Sequence, residues 1–382
     1  MADTAESFDA PVDAPAQPPH DSLAGPLPAD HPSRRLSDSL YLQAARCEPT
    51  ERVPVWFQRQ AGRSLPEYRA LRGPGSILDA IADPATAAEI TLQPVRRYGV
   101  DAAVLFSDIV VPAAAVGFGI DVVPGVGPVV AEPLRSRIDL DRLPELDPEA
   151  HTSHVLETVR LLAAKLDVPL IGFAGAPFTV ASYLVEGRPS RQHALTKAFM
   201  HTDPALWHDL MERLASIAVA SMRSQVLVGA SAVQLFDSWA GTLSPADYAA
   251  FVAPHSKRVF DELADLGVPR AHFGVGTGEL LDQMAQVGAD VVGVDWRVPL
   301  GAARQRVGPG VALQGNLDPV LCLAGWPTVR AAADRILAEG TGAPGYIFNL
   351  GHGVLPETDP SVLERLTDHV HAYQPAHASQ HE

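Results

Sequence analysis

Eight short apolar runs, each bounded by turn residues and most followed by a helix-like segment, constrain the fold of this chain most strongly. Segments between them, such as 204–227, 246–266 and 317–339, carry apolar residues at the three-to-four spacing of crossover helices. Strands that are apolar on both faces and alternate with helices indicate a parallel sheet covered by helices. The predicted strands are 53–57, 102–109, 168–174, 231–236, 270–275, 290–296, 311–315 and 345–350.

Eight such units over roughly 320 residues predict an α/β fold, a single (β/α)8 TIM barrel, with its domain over 36–375. A doubly wound open sheet is the alternative, but it favours a Gly-rich fingerprint after the first strand, and none is present there. The Gly-rich "FGVGTGEL" follows the fifth run and is interpreted as a tight turn between strand and helix. Residues 1–35 are rich in proline and acids, so we expect a disordered tail there and a frayed tail at 376–382.

Charge and cysteine usage exclude several classes of protein. The formal net charge of −16 opposes binding to nucleic acid or to an anionic membrane. The two cysteines, Cys47 and Cys322, support neither a disulfide framework nor a thiolate metal site. No apolar run is long enough to span a membrane, so a cytoplasmic enzyme is expected.

Polar residues follow the predicted strands where a barrel of this kind carries its chemistry, at their C-terminal ends. Singly, each could cap a helix or pack in the core. The two arginines around Gly62 are harder to explain in that way, because two guanidinium groups beside accessible backbone N–H groups form a carboxylate or phosphate receiver. The candidate residues are Arg59, Gln60, Ala61, Gly62 and Arg63 after the first strand, then Asp108, Tyr183, Ser238 and His352.

Common catalytic motifs are missing from the sequence. It contains no HExxH, no GxSxG and no Walker lysine, and it offers no clear Schiff-base lysine and no cluster of soft metal ligands. The set that remains is an anion clamp, a carboxylate, a phenol, a hydroxyl and an imidazole. These groups can work without a cofactor.

Five motifs, in this order and spacing, carry a resemblance to a known family. They are "PVWFQRQAGRSLPEYR", "LFSDIVVP", "GAPFTVASYLVEG", "LFDSWAG" and "NLGHGVLPETDP". They resemble the uroporphyrinogen decarboxylase family of haem biosynthesis, over about residues 36–373. The resemblance implies a homodimeric (β/α)8 barrel that removes CO2 from the four acetates of uroporphyrinogen III, giving coproporphyrinogen III, with no metal or organic cofactor.

The resemblance also implies which residues act. Substrate binding would fall to residues 59–63, Asp108, Tyr183, Ser238 and His352, with Asp108 and Arg59 as the catalytic pair. Protonation of a pyrrole carbon makes the ring a cationic electron sink, which Asp108 would stabilise while arginines position the substrate carboxylates. The loop after the tyrosine motif departs from the family pattern, and Arg188 within it is a further candidate carboxylate contact.

Two alternatives belong to other classes. A tetrapyrrole carrier would keep the pocket but would need no cation-stabilising acid, so Asp108 argues against it. Zinc-dependent, cobalamin-linked methyltransferases resemble a pattern with a His-x-Cys and a later Cys as metal ligands. In this chain Phe273 and Gly274 follow His272, and Cys322 has no partner in sequence.

Overall fold

A computed structural model describes residues 27–123 and 125–374. Seven parallel strands form its main sheet, in the order β1-β4-β5-β6-β7-β8-β9, and β2 and β3 form a separate antiparallel hairpin. The strands are β1 (Ala103–Val104), β2 (Ile120–Val123), β3 (Gly127–Val130), β4 (Leu170–Gly175), β5 (Ala232–Asp237), β6 (Arg270–Gly274), β7 (Val291–Gly293), β8 (Ala312–Leu317) and β9 (Tyr346–Leu350).

Helices cover the sheet and connect its strands. The α-helices are α1 (Leu40–Ala45), α2 (Pro66–Arg72), α3 (Ile77–Ala82), α4 (Pro84–Tyr98), α5 (Val111–Ala115), α6 (Arg137–Asp141), α7 (Pro148–His151), α8 (Ser153–Lys165), α9 (Pro177–Glu186), α10 (Ala194–Thr202), α11 (Pro204–Leu227), α12 (Pro245–Phe251), α13 (Ala253–Glu262), α14 (Leu281–Gln286), α15 (Leu300–Val307), α16 (Trp326–Gly340) and α17 (Pro360–His371). Short 3-10 helices lie at Pro32–Arg34, Ala240–Thr242, Ala264–Leu266, Gly278–Leu280 and Pro319–Leu323.

Burial explains why these strands pair in parallel. Every residue of β4, β8 and β9 is buried, as expected for strands covered on both faces. Helix α11, predicted over the same residues, packs against β4 and β5. None of the helices in the described part of the chain is long and apolar enough to cross a membrane.

The predicted first strand is the main departure from the sequence prediction. Within 53–57 only Val55 pairs, through an isolated parallel bridge to Phe348 of β9. On its other side the carbonyl of Val55 accepts the N–H of Asp101, 2.8 Å away, just ahead of β1. The observed sheet is therefore a curled sheet of seven parallel strands, which confirms the predicted α/β fold with a parallel sheet, while the strands of the described residues do not close into an eight-stranded barrel.

Local hydrogen bonding gives the physical reason. Pro54 has no N–H, and the N–H of Val55 donates to the Asp101 carboxylate at 2.8 Å instead of to a strand carbonyl. The N–H groups of Phe57 and Gln58 donate to side-chain oxygens of Gln60 and Asn349, each at 3.0 Å. Side-chain acceptors take most of the N–H groups of this segment, so only the backbone bonds around Val55 join it to β9 and to the residues before β1, and it does not form a strand.

Two other boundaries differ from the prediction. Strand β1 has only two residues of the predicted 102–109, because the N–H of Phe106 donates to the Thr91 hydroxyl at 3.0 Å and leaves the ladder. The hairpin of β2 and β3 falls in a segment for which no strand was predicted.

Part of the predicted N-terminal tail can be described. Residues 1–26 and 375–382 lie outside the described residues, and so does the predicted C-terminal tail. From Leu27, which is buried, the chain contacts the domain: His31 Nε2 lies 3.1 Å from the Leu227 carbonyl, and the Arg35 guanidinium donates to the Leu166 carbonyl. Ordered contacts therefore begin before residue 36.

Candidate active site

The loop with the two arginines is a tight turn after the bridge at Val55. The N–H of Gln60 donates to the Phe57 carbonyl at 3.0 Å, and Arg59 adopts a left-handed backbone conformation with φ = 57°. Arg59 and Arg63 are both exposed, and neither forms an ion pair with a carboxylate among the described residues. Two guanidinium groups are thus available to an anionic ligand.

The other residues of the predicted binding loop connect the loop to the interior of the protein. The fully buried Gln60 amide accepts from Phe57 N–H at 3.0 Å and donates to the Ala102 carbonyl at 3.1 Å. Ala61 packs against the core, and a Cβ on Gly62 would lie 3.0 Å from the Arg59 carbonyl. Gln60 therefore fixes the loop through its side chain, and the two exposed guanidinium groups lie on either side of it in sequence.

Asp108 lies in the turn between β1 and α5 and is half-buried. Its Oδ1 accepts the N–H of Val110 at 3.1 Å. Burial raises the pKa of this carboxyl above its ordinary value, and the Val110 N–H and the positive charge of Arg59 only partly offset that effect. The carboxyl and the Arg59 guanidinium are therefore close enough to interact electrostatically, although they do not form an ion pair.

Tyr183 is a half-buried residue of α9, near Asp108 and Arg59. Burial, and next the negative charge of Asp108, raise the pKa of its phenol to about 12. Its ring meets Trp239 edge to face, with centroids 6.0 Å apart. The phenol therefore stays protonated at neutral pH and can donate a hydrogen bond to a carboxylate.

A buried network joins the turn with Ser238 to α9. The Thr179 hydroxyl donates to Asp237 Oδ1 at 2.8 Å and accepts the N–H of Trp239 at 3.2 Å. Asp237, at the end of β5, is fully buried. Ser238, between Asp237 and Trp239, is thus held at the same end of the sheet as Tyr183. This end, formed by the turns that follow the C-terminal ends of the strands, is called the mouth.

His352 follows β9 and packs against the arginine loop. A Cβ on Gly353 would clash with the Arg59 side chain, so that side chain lies directly across this glycine. Burial, and next the positive charge of Arg59, lower the pKa of His352 to about 4. The imidazole is neutral at neutral pH and can donate one hydrogen bond and accept another.

The loop after α9, where the sequence departs from the family pattern, packs on the hairpin. The carbonyl of Gly187 accepts the N–H of Val130 at 2.8 Å, and a Cβ on Gly127 would lie 3.3 Å from Pro189. Arg188 is exposed beside it, and its proposed carboxylate contact stays a prediction.

One group at the mouth was missed by the sequence reasoning. Arg297 follows β7 and pairs with Asp295 through Nη1 and Oδ2, 2.6 Å apart. Together with Asp295, its charge acts on the pKa of His352. A signal was present, because Arg297 is the first polar residue after the sixth apolar run and so occupies a rim position.

Aromatic rings line neighbouring strands beside these polar groups. Phe173 of β4 meets Phe236 of β5 at 5.2 Å between centroids, Phe236 meets Phe273 of β6 at 6.1 Å, and Phe273 lies 6.3 Å from His352. Phe173 and Phe273 are buried and Phe236 is partly exposed, so these rings pack the sheet directly beneath the polar groups.

Arg59 links the candidate residues, because its charge acts on the pKa values of Asp108, Tyr183 and His352 and its side chain lies across Gly353. Ser238 joins them through Trp239. Arg63 lies further out: its charge acts on Tyr68, and its carbonyl accepts from Arg69 at 2.6 Å. The mouth can hold a polyanion and stabilise positive charge near its centre.

Comparison with known proteins identifies close relatives. The family model described as uroporphyrinogen decarboxylase (URO-D) matches residues 36–373. A uroporphyrinogen decarboxylase of Nocardia farcinica is 60% identical over 347 residues, covering 89% of this chain and 98% of the relative. Another, of Streptomyces coelicolor, is 58% identical over 349 residues, covering 91% and 98%.

A solved structure shares the fold. A methyltransferase from Methanosarcina mazei superposes with a TM-score of 0.74 at 21% identity, covering 87% of this chain and 98% of that one. Within residues 27–123 and 125–374, no group of three His, Cys, Asp or Glu side chains is arranged to hold a metal ion.

Proposed function

The chain belongs to the uroporphyrinogen decarboxylase family, and on that premise we propose that Asp108 and Arg59 are the catalytic pair of its reaction. The protein is a carboxy-lyase that decarboxylates uroporphyrinogen in haem biosynthesis. The placement of a half-buried carboxyl beside an exposed, unpaired guanidinium and a protonated phenol supports this assignment above all.

The chemistry needs a cation and a means of holding it. Loss of CO2 from an acetate on a pyrrole leaves an electron pair, which a ring protonated at carbon accepts. An ionised carboxylate about 4 Å from that ring, at an effective dielectric near 20, would stabilise the cation by ~4 kcal/mol. Asp108 is the group at the mouth that can supply this charge, and it can also accept hydrogen bonds from the pyrrole N–H groups.

The remaining groups bind carboxylates. Uroporphyrinogen carries four acetates and four propionates, and Arg59 and Arg63 offer them unpaired guanidinium groups. Charge-assisted hydrogen bonds of this kind contribute about 1.5–3 kcal/mol each. Tyr183, Ser238 and neutral His352 add donors around the same mouth, while Gln60, Ala61 and Gly62 hold the arginines in place.

The charge of Asp108 is tested by Asp108→Asn, which keeps the shape and removes the charge. Loss of ~4 kcal/mol predicts a kcat about a thousandfold lower with little change in substrate affinity. The assay follows stepwise loss of CO2 from uroporphyrinogen by mass, without added metal or cofactor. Asp282→Asn, at an exposed position of α14, is the matched control and should retain wild-type turnover.

The same variant carries a pH signature. Wild-type kcat should fall as the pH drops through the pKa of Asp108, which burial holds above its ordinary value, and Asp108→Asn should lack that acid limb. Turnover of Asp108→Asn within a few-fold of wild type would contradict the proposed role.

Three further features belong to the proposal. We propose that the product is coproporphyrinogen III and that the working form is a cytoplasmic homodimer. We also propose that residues 53–57 occupy the position of the eighth strand in a (β/α)8 barrel over 36–375. The bridge of Val55 to Phe348 and its bond to Asp101 support the last point. Light scattering measures the molar mass of the protein in solution and should give twice the mass of one chain. The mass of a single chain would contradict the dimer.

A further inference from the structure

Arg297 is a fixed cation at the mouth to which the reaction described so far assigns no role. It lies after β7, on the same rim as His352, and its side chain is 52% exposed. Its neighbour Asp295 is only 1% exposed at the side chain. The pair therefore places a buried carboxylate beneath a guanidinium that faces solvent.

The anchor of Arg297 is well defined. Asp295 accepts Arg297 Nη1 at 2.6 Å and the Arg297 backbone N–H at 2.9 Å, and it also accepts the N–H of Gly276 from the turn after β6. The guanidinium centre lies 4.0 Å from the centroid of the Trp296 ring. A guanidinium has five N–H donors, so most of them remain for a ligand while the group is held in one orientation.

This anchor is built into the same packing as the proposed catalytic residues. A Cβ on Gly351 would lie 2.5 Å from the Trp296 backbone nitrogen, so the turn with Arg297 packs directly on the turn with His352. The Asn316 amide holds that turn by donating to the carbonyls of Asp295 and Val298, at 2.9 and 2.6 Å. On the other side of His352, Gly353 packs on Arg59.

Arg297 and Arg59 differ in which of the proposed active-site groups their charges reach. The charge of Arg59 acts on Asp108, Tyr183 and His352, whereas among these three the charge of Arg297 acts on His352. A carboxylate bound at Arg297 is therefore peripheral when an acetate is presented to Asp108. A propionate suits this position, because its arm is one methylene longer and it is not consumed.

We propose that Arg297 binds a propionate carboxylate of the porphyrinogen and so determines how the macrocycle is oriented at the mouth. This inference rests on the proposed placement of the substrate over Asp108. Because all four propionates survive the four decarboxylations, the contact is available to uroporphyrinogen and to each partly decarboxylated intermediate.

The test is Arg297→Gln, assayed with the octa-, hepta-, hexa- and pentacarboxylate porphyrinogens as separate substrates. We expect KM to rise about tenfold for every one of them, with kcat within about twofold of wild type, because the contact is equally strong before and during reaction. Arg297→Lys keeps the charge without the fork and should give a smaller rise. The matched control is Arg330→Gln, which removes an exposed arginine of α16 and should leave KM unchanged.

Other results would overturn the inference. An unchanged KM, or a lower kcat at unchanged KM, would show that Arg297 holds no carboxylate. A rise in KM that shrank as acetates were lost would assign the contact to an acetate instead. In each case wild-type turnover is still seen, whereas a wild-type protein that failed to decarboxylate uroporphyrinogen would contradict the proposed function itself.

Discussion

Gln60 illustrates how a residue inside a predicted binding motif can stabilise the loop that carries it. Both ends of its amide bond to backbone, to Phe57 on one side and to Ala102 on the other. Arg59 lies within this turn, between Phe57 and Gln60, in the left-handed backbone conformation. That conformation costs a residue other than glycine about 1–3 kcal/mol, which the surrounding hydrogen bonds must offset. At this scale the proposed task of the arginines depends on the glutamine, which fixes the backbone of their turn.

His352 gives a prediction about stability and pH. Its pKa is about 4 in the folded protein, against about 6.5 in an unfolded chain, so between these values the unfolded state binds the proton more readily. The free energy of unfolding should therefore fall as the pH drops from about 6.5 towards 4. His352→Gln removes this contribution, which we expect to be about 2 kcal/mol because solvent at the half-buried ring reduces the full linkage value.

The measurement is urea unfolding of both proteins at pH 7 and pH 4.5. The other histidines titrate in wild type and in His352→Gln alike. The difference in the free energy of unfolding between the two proteins, compared at pH 7 and pH 4.5, therefore reports on residue 352. Wild type should lose more stability than His352→Gln over this range. Equal losses would show that His352 is freely protonated in the folded protein.

At the scale of elements, periodicity predicted seven of the strands and failed at the one that matters most to the site. Runs such as 168–174 and 345–350 form strands because their backbone groups have strand partners on both sides. The run 53–57 is equally apolar, but the N–H groups of Val55 and Phe57 donate to the side chains of Asp101 and Gln60, and only Trp56 donates to a strand carbonyl, that of Phe348. A linear pattern cannot report acceptors that lie distant in sequence.

The sequence also predicted some of the residues at the mouth and missed others. Because parallel strands end at one edge, residues after successive runs could be placed on one rim without coordinates. The pairing of Arg297 with Asp295 was not foreseen, since the prediction treated the run through Trp296 as strand and stopped there. The packing of Gly353 on Arg59 depends on two turns almost 300 residues apart, which only the folded chain brings into contact.

That packing leads to a prediction about the turns. Gly353→Ala places a methyl group where the Arg59 side chain lies, so the guanidinium must move. We expect KM to rise about tenfold or more, since a charge-assisted contact contributes about 1.5–3 kcal/mol. Steady-state kinetics with uroporphyrinogen measure this effect.

The control is Gly301→Ala in α15, where a Cβ meets no atom within 4 Å. It should leave KM unchanged and stabilise the fold by about 0.5–1 kcal/mol, because alanine favours a helix over glycine. Wild-type KM in Gly353→Ala would show that the position of Arg59 does not matter.

For the molecule as a whole, Asp101 joins both ends of the described chain. Its carboxylate accepts from Arg52 at 2.7 and 3.1 Å, from the N–H of Val55 at 2.8 Å, and lies 2.8 Å from Nε2 of His371 in α17. Burial acts to raise its pKa, but the bonds from His371 and Arg52 hold the pKa below its ordinary value. This carboxylate precedes β1, at the end of the sheet opposite the mouth.

Asp101→Asn should therefore weaken the fold and spare the chemistry. Removing one partner of a largely buried ionic group predicts a loss of about 3 kcal/mol in the free energy of unfolding, measured by urea denaturation at pH 7. Well below the unfolding transition, kcat should match wild type.

Asp261→Asn is the surface control, since Asp261 pairs with Lys257 on α13 but is 57% exposed at the side chain. Its effect should be within about 0.5 kcal/mol. A loss no larger in Asp101→Asn would mean that the two ends of the chain are held together by other contacts.

The contact of Val55 with Phe348 also has a consequence for biosynthesis. Residues 53–57 are synthesised almost 300 residues before the strand that they bridge. The arginine turn cannot take its final shape on a nascent chain, because its partners in β9 and the His352 turn have not yet emerged. If the arginines bind substrate as proposed, a chain that lacks β9 and the His352 turn should not bind the porphyrinogen.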